Sequence, residues 1–157
     1  MPGKPPQYLT KDGVEKIEKE LQELRGPQRE ALARRLRDAI QMGDLSENAD
    51  YHKAKEDQAF LEGRIQELEH VLRSASIVDR GPGPQGTVAV GTRVTVQEDT
   101  GDPEVFDLVG IQEADPRAGR ISYDSPIGRA LMDRRVGETV EAQTPGGTIR
   151  LKILQIE

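Results

Sequence analysis

Three carboxylates lie within seven residues of one short segment of this chain, as Asp44, Glu47 and Asp50 in residues 43–51. The segment lies where one long helical pattern stops and a second one starts. An Asp followed three residues later by a Glu at a helix start has the spacing of a capping box, so Asp44 and Glu47 are predicted to cap the second helix. If the two helices fold back on each other, this segment becomes the tip of an arm, and charge placed there suggests delivery to a distant site.

Two helical patterns flank the acidic segment. The first follows Thr10 and continues past Gly26 and Pro27, where the proline predicts a kink or short break with the helix direction kept. The second keeps coiled-coil spacing for more than three heptads. The connection between them is short, which predicts an antiparallel hairpin. The seam positions are Val14, Ile17, Leu21, Leu24, Leu32, Leu36 and Ala39, then Tyr51, Ala54, Gln58, Leu61, Ile65, Leu68, Leu72 and Ala75.

Four basic residues lie just behind the acidic tip in this register. Arg37 is predicted to lie across from Lys53, and Arg35 across from Lys55. A cluster of charges on the outer face of a helix pair is by default a solvated surface. The pattern therefore predicts a small basic patch, and by itself gives that patch no further role.

Residues 81–86 alternate Gly with Pro and Gln, which breaks the helical pattern and predicts a linker. Beyond the linker, Ser125 followed by Pro126 predicts a short helix with proline in its first turn. The sequence thus predicts an α+β protein with a helical hairpin over residues 1–79 and a small α+β domain over residues 80–157. Strands are predicted over residues 88–90, 93–97, 105–109, 120–123, 139–143 and 148–156.

The composition excludes several classes of protein. A net charge of −6 argues against a free-standing nucleic-acid-binding module, since phosphate contacts require a basic surface. Aromatic residues make up only 3%, which argues against a base-stacking platform. The absence of Cys removes disulfides, thiolate metal sites and a cysteine nucleophile. No apolar run approaches the roughly 20 residues of a membrane helix, so we expect a cytoplasmic protein with no membrane partner.

Four motifs in order carry a family resemblance: residues 43–52, 62–65, 124–131 and 144–147. From about Tyr8 to the C-terminus, the chain resembles the bacterial Gre family of transcript cleavage factors, in its GreA-type branch. The resemblance implies an N-terminal antiparallel coiled-coil hairpin followed by an FKBP-like α+β domain. It also implies that the second domain docks on bacterial RNA polymerase, while the hairpin enters the secondary channel and stimulates cleavage of the 3′ end of backtracked nascent RNA.

The same resemblance implies roles for the tip carboxylates. Asp44 and Glu47 would be the catalytic pair, helping to hold a second Mg²⁺ and its attacking water. Carboxylate oxygens suit this role because Mg²⁺ is a hard cation. The Mg²⁺ would be shared with the polymerase active site, which supplies the remaining ligands. The chain is therefore expected to be a transcription elongation factor and not an enzyme by itself, and to act as a monomer.

The resemblance also implies roles for two further groups of residues. The basic patch of Arg35, Arg37, Lys53 and Lys55 would contact extruded RNA. Asp124, Ser125 and Pro126 would bind the polymerase. The chain departs from the family pattern at Ile40, where many relatives carry Arg or Lys, and this departure suggests a weaker RNA contact.

Three alternatives compete with this interpretation. A Gre homologue could occupy the channel and inhibit the polymerase, although such homologues have a differently arranged, more acidic tip. An FKBP-like isomerase or chaperone would need an aromatic pocket lining, yet residues 80–157 contain only Phe106 and Tyr123. A structural coiled-coil dimer would compete with intramolecular pairing for the same seam. The Asp-Leu-Ser-Glu-Asn order of the tip favours cleavage.

Overall fold

The computed structural model describes residues 7–157, and within them the predicted α+β class and helical hairpin are confirmed. The chain divides into two compact units, one formed by Glu15–Ser74 and the other by the segment up to Val14 together with Ala75–Glu157. A short strand, β1 (Tyr8–Thr10), pairs in parallel with β2 (Ser76–Val78), which brings the start of the chain into the C-terminal unit. The C-terminal unit therefore includes residues from both sides of the hairpin in sequence.

The hairpin has two arms. The first consists of α1 (Lys11–Glu23), a π-helical turn (Leu24–Gln28) and α2 (Arg29–Gln41), and the second is α3 (Ala49–Ser74). Proline inside an α-helix removes one hydrogen-bond donor and crowds the preceding turn, and the wider π turn accommodates both effects. The helix therefore continues through Pro27 without a break, where the sequence predicted a kink or short break. None of the helices within residues 7–157 has the length and apolar character that crossing a membrane requires.

Buried side chains follow the predicted seam, with one change at the end far from the tip. There Val71 is 1% exposed and takes the place predicted for Leu72, which is half-buried. The shift from a four-residue to a three-residue step after Leu68 arises because 3.6 residues per turn drift against a strict heptad. The other buried seam residues are Ile17, Leu21, Leu24, Leu32, Ala39, Ala54, Ile65 and Leu68.

Ion pairs cross between the two arms along the edges of the seam. Such exposed pairs contribute only about 0–1 kcal/mol each, so the buried seam carries the stability of the hairpin. Opposite charges nevertheless favour this antiparallel register over shifted ones. The crossing pairs are Glu20–Arg64 at 3.1 Å, Arg25–Glu69 at 2.6 Å, Arg29–Glu62 at 2.7 Å and Arg35–Asp57 at 3.0 Å.

The C-terminal unit is built on a five-stranded sheet in the order β5-β4-β3-β7-β6. Its strands are β3 (Arg93–Glu98), β4 (Glu104–Val109), β5 (Arg120–Ser122), β6 (Thr139–Thr144) and β7 (Gly147–Ile156). Neighbours run antiparallel, except that β4 and β5 are parallel. The predicted short helix is α4 (Pro126–Leu131), and Leu131 lies in the core with the inward residues of the sheet.

The strand predicted over residues 88–90 is wrong. Val88 and Val90 are buried, but the segment is irregular. The Val88 N–H donates to the Arg134 carbonyl at 2.9 Å, and the Val88 carbonyl accepts from the Asp133 N–H at 2.9 Å. The apolar alternation here therefore reflects core packing of a segment that bonds to the loop after α4 rather than to the sheet.

A buried carboxylate connects β1 to the loop after β4. Glu113 is 5% exposed and accepts hydrogen bonds from the N–H groups of Thr10 at 3.0 Å and Gly110 at 3.1 Å. The Thr10 hydroxyl also donates to Glu113, and it accepts from the Gly13 N–H at 3.1 Å, which caps the start of α1. An added Cβ at Gly13 would lie 2.2 Å from the Glu113 Cδ, so this helix position requires glycine.

We expect Gly13→Ala to destabilise the protein, although alanine normally stabilises a helix relative to glycine by about 1 kcal/mol. The methyl group must displace the buried Glu113 carboxylate, and overpacking of this kind costs about 1–3 kcal/mol. Urea unfolding followed by circular dichroism measures the change. Gly63→Ala in α3 is the matched control, since an added Cβ there meets nothing within 4 Å, and it should be stabilising. Equal changes in the free energy of unfolding for Gly13→Ala and Gly63→Ala would contradict the close packing of Gly13 against Glu113.

Candidate functional site

The hairpin tip is a single 3₁₀ turn, Leu45–Glu47, with Asp44 immediately before it. One Asp44 oxygen, Oδ1, accepts hydrogen bonds from the Ser46 N–H at 3.0 Å and the Ser46 hydroxyl at 2.8 Å. Gly43 has a φ of +120°, a conformation that suits glycine, and it turns the chain away from α2. Asp44 therefore caps the tip turn and not α3, so the predicted capping box with Glu47 is wrong.

Asn48 caps the start of α3, the role that was predicted for Asp44. Its Oδ1 accepts from the Tyr51 N–H at 3.0 Å and caps the start of α3. Its Nδ2 donates to the Ala39 carbonyl near the end of α2 at 2.6 Å. One amide side chain thus joins the two arms and sets the span that the tip turn must bridge. Sequence reasoning missed this role, although Asn directly before an amphipathic helix is a strong cap signal.

The tip carboxylates are exposed and partly unused. Asp44 and Glu47 lie at the two ends of the same turn. Within residues 7–157, neither the Asp44 Oδ2 nor the Glu47 carboxylate makes a hydrogen bond or ion pair. The described residues also hold no group of three or more His, Cys, Asp or Glu side chains placed to bind a metal. The tip therefore offers a partial set of hard oxygen ligands, fewer than a Mg²⁺ ion requires.

Hydrogen bonding depresses the pKa of Asp44 below its ordinary value. The larger cause is the bond from the Ser46 N–H, and the second is the bond from the Ser46 hydroxyl, with a small opposing effect of burial. Both bonds favour the ionised form. Asp44 consequently presents a full negative charge on a turn that its own hydrogen bonds hold in shape.

Two residues of the predicted basic patch share one counter-ion on the hairpin. The Arg35 Nη1 lies 3.0 Å from the Asp57 Oδ2, and the Lys53 Nζ lies 3.2 Å from the Asp57 Oδ1. Arg35, predicted to lie across from Lys55, therefore pairs with Asp57 on α3. The pKa of Asp57 is lowered first by the bond from Arg35 and then by the bond from Lys53.

The other two residues of the basic patch have less charged surroundings. The Lys55 Nζ donates to the Gln58 Oε1 at 3.2 Å. Arg37 is exposed and makes no ion pair or side-chain hydrogen bond with any residue from 7 to 157. The structure also leaves the side chain of Ile40 half exposed, at 51%, on the same stretch of α2. All four basic side chains are thus exposed on the hairpin, but they are not equally available to an anion.

In the predicted docking loop, Ser125 has a structural role. Its hydroxyl accepts from the Gly128 N–H at 3.0 Å, which caps α4, and donates to the Ser122 carbonyl at 2.7 Å. An added Cβ at Gly128 would lie 2.1 Å from the Ser122 carbonyl oxygen, so the loop and the helix start are closely packed. Ser125 therefore shapes this loop through its own hydrogen bonds.

Asp124 and Pro126 present the exposed side of the same loop. Asp124 forms an ion pair with Arg129 at 2.9 Å, and both side chains are more than half exposed. Pro126 occupies the exposed first turn of α4. The loop thus presents an exposed carboxylate and an exposed proline ring on a backbone that its own hydrogen bonds hold in place.

Fold and site together define a two-unit α+β protein whose helical hairpin presents paired carboxylates on its connecting turn. The family model for the N-terminal domain of transcription elongation factors matches residues 7–77, and the GreA/GreB C-terminal model matches residues 83–157. The chain therefore belongs to the GreA/GreB family of transcription elongation factors, and the resemblance found from its motifs is confirmed.

Relatives of known name cover nearly the whole chain. Transcription elongation factor GreA of Chloroflexus aggregans is 45% identical over 96% of this chain and 97% of its own. The GreA of Bacillus cytotoxicus is 43% identical over 95% of both chains. Among solved structures, GreA factor homolog 1 of Thermus thermophilus is 28% identical, with 98% of this chain and 99% of that chain covered at a TM-score of 0.44.

The depressed pKa of Asp44 yields a prediction for Ser46→Ala. The variant loses the hydroxyl bond and keeps the N–H bond, so the Asp44 pKa should rise part of the way toward about 3.9. Because the folded pKa lies below the unfolded one, the bonds stabilise the turn at higher pH and are lost as pH falls through the folded pKa. A carbon-detected NMR titration of the Asp44 carboxyl measures this. An identical titration midpoint of Asp44 in the wild-type protein and in Ser46→Ala would show that the Ser46 hydroxyl does not lower the Asp44 pKa.

Proposed function

We propose that this elongation factor binds bacterial RNA polymerase, inserts its hairpin into the secondary channel and stimulates cleavage of the 3′ end of backtracked nascent RNA. Arrested complexes would then resume synthesis. The observation that carries the proposal is the tip turn, where two exposed carboxylates have oxygens with no partner among the described residues. Membership of the GreA/GreB family supports it, since the tip motif of this chain matches the family pattern.

The tip residues would contribute hard oxygen ligands to a Mg²⁺ site shared with the polymerase. When bound, Mg²⁺ lowers the pKa of a coordinated water and stabilises charge on a reacting phosphate. Asp44 would present Oδ2, since Oδ1 is occupied by both Ser46 bonds. Glu47 would use its free carboxylate to hold a cation ligand or orient the attacking water. A turn already fixed by its own bonds loses little conformational freedom on binding.

The partial ligand set explains why the factor would act only within the complex. Mg²⁺ prefers six oxygen ligands, whereas the tip offers two carboxylates. The polymerase would provide the remaining ligands, so this chain would stimulate the polymerase's own cleavage rather than catalyse it alone. Its GreA-type tip thus supplies charge and positioning to a reaction centre in another protein.

Two other surfaces would complete the interaction. Arg35, Arg37, Lys53 and Lys55 would contact the extruded RNA through its phosphates, which attract cations independently of sequence. Asp124 and Pro126 would touch the polymerase at the rim of its channel, on a loop that Ser125 keeps in shape. The C-terminal unit would then set the affinity for the polymerase, and the hairpin tip would set the cleavage rate. A substitution in one unit would therefore change one of these quantities without changing the other.

The tip carboxylates can be tested by Asp44→Asn combined with Glu47→Gln. Asn keeps the oxygen that accepts from Ser46, so the turn should retain its shape while the ligand charge is removed. Cleavage of RNA in a stalled, backtracked elongation complex should fall by orders of magnitude, as expected when a two-metal site loses carboxylate ligands. Affinity for the polymerase should persist, so the double variant should compete with the wild-type protein.

Asp50→Asn is the matched control for this experiment. Asp50 is the third carboxylate of the tip segment, exposed in the first turn of α3, and the substitution removes one negative charge from the same segment without touching the turn. Its cleavage rate should stay within a few-fold of wild type. If the double variant cleaved at the wild-type rate, the carboxylates would have no catalytic part. If the wild-type protein bound and only inhibited, the family's inhibitory mode would replace this proposal.

The docking loop yields a separate prediction. Asp124→Arg breaks the ion pair with Arg129 and reverses the charge of the exposed loop. Polymerase binding should weaken by about tenfold or more, as interface charge reversals do. Cleavage should recover at high factor concentration because the tip is intact. Asp99→Arg, in the exposed turn between β3 and β4, makes the same charge change and should bind normally. Unchanged binding by Asp124→Arg would place the docking surface elsewhere.

A further inference from the structure

The carboxylate of Asp57 lies in the middle of the basic patch and contacts two of its four cations. One oxygen faces Arg35 from α2 at 3.0 Å, and the other faces Lys53, four residues earlier on α3, at 3.2 Å. The Asp57 side chain is 31% exposed, against 51% for Arg35 and 62% for Lys53. The Asp57 carboxylate is therefore less exposed than either of the cations that contact it.

This arrangement differs from that of the Arg29–Glu62 pair, which also crosses the hairpin. Arg29 and Glu62 form a bidentate pair of two nearly parallel hydrogen bonds at 2.8 and 2.7 Å. Asp57 instead divides its two oxygens between two different cations. A phosphate that approached Arg35 or Lys53 would compete with this carboxylate for the same donors and would meet its negative charge at close range.

We propose that Asp57 is a specificity-determining counter-ion, which competes with RNA phosphate for Arg35 and Lys53 and so limits how strongly the basic patch holds extruded RNA. The inference rests on the proposed function, because it assumes that the patch meets the RNA of a backtracked complex. Exposed pairs are weak enough to exchange partners, so phosphate can displace the carboxylate. Arg37 and Lys55, which have no acidic partner among the described residues, would then make the first contact.

Competition between Asp57 and RNA phosphate predicts the direction in which removal of the Asp57 charge changes RNA binding. With Asp57 ionised, its negative charge lies between Arg35 and Lys53, and Lys53 also lies 4.0 Å from the Glu56 Oε2, so RNA phosphate must compete with these carboxylates for the two cations. Removing that charge should strengthen RNA binding and steepen its salt dependence, since counter-ion release scales with the number of free cations. A carboxylate that merely held the cations in position would give the opposite result on removal, because the cations would become disordered.

The test uses the full chain with Asp44→Asn and Glu47→Gln, so that the RNA stays uncut during measurement. Fluorescently labelled protein is titrated onto two assembled elongation complexes, one backtracked and one with its RNA 3′ end in the active site. The ratio of the two affinities isolates the contact with extruded RNA from polymerase docking. Adding Asp57→Asn should raise the preference for the backtracked complex by about two- to fivefold, the range that exposed ion pairs are worth.

Glu62→Gln is the matched control. It removes one negative charge and one interhelical pair from the same hairpin, but Arg29 lies six residues, or about 9 Å, further from the tip than Arg35. Its affinity ratio should equal that of the parent. In a background of Arg35→Gln and Lys53→Gln, Asp57→Asn should lose its effect. Circular dichroism establishes that each hairpin is folded, and Asp57→Ser provides a second uncharged variant.

An unchanged or lower affinity ratio for both Asp57 variants would overturn the inference, as would an equal gain from Glu62→Gln. A wild-type protein with no preference for the backtracked complex would overturn it as well. These outcomes are independent of the cleavage assay, in which loss of activity on changing Asp44 and Glu47 tests the proposed function. The two proposals can therefore fail separately.

Discussion

The candidate site depends on the side chain of Asn48. Its amide accepts a hydrogen bond from the first turn of α3 and donates one to the Ala39 carbonyl near the end of α2. The first turn of a helix leaves N–H groups without partners, and Asn48 accepts from that of Tyr51, while its amide N–H adds a second hydrogen bond to the Ala39 carbonyl, which also accepts from the Met42 N–H. The residues between these anchors must form a tight turn, and Asp44 stabilises that turn by capping it. The carboxylates are presented in a fixed geometry because the helix ends are joined.

The charged side chains of the hairpin have different partners at different distances from the tip. At the tip, the carboxylates have no cationic partner among residues 7–157, which leaves their oxygens exposed. Behind the tip, Asp57 binds two cations of the basic patch. Further from the tip, pairs such as Arg29 with Glu62 connect the two arms. The same residue types thus differ in their surroundings along the hairpin, from carboxylates at the tip to shared cations behind it and interhelical ion pairs further away, depending on what lies within about 3 Å.

Much of the fold was predictable where the signal is local. Apolar periodicity gave the helices because a buried face must repeat with the helix period, and Pro126 after Ser125 marked α4 through its capping chemistry. Residues 88–90 were misread as a strand because buried irregular backbone can alternate apolar side chains as a strand does. Strand β1 was missed because three residues carry no usable period, and its partner lies more than sixty residues away.

For the site, the sequence alone determined which side chains gather at the tip, since a short connection between two long helices brings residues 43–51 to the end of the hairpin. It also determined the family, through motifs whose order is specific. The tertiary structure decided which oxygen of Asp44 is used, that Asn48 rather than Asp44 begins α3, and that Asp57 holds Arg35. These are contacts between residues on different elements or atoms of one side chain, and their choice depends on distances of a few tenths of an ångström that no periodicity encodes.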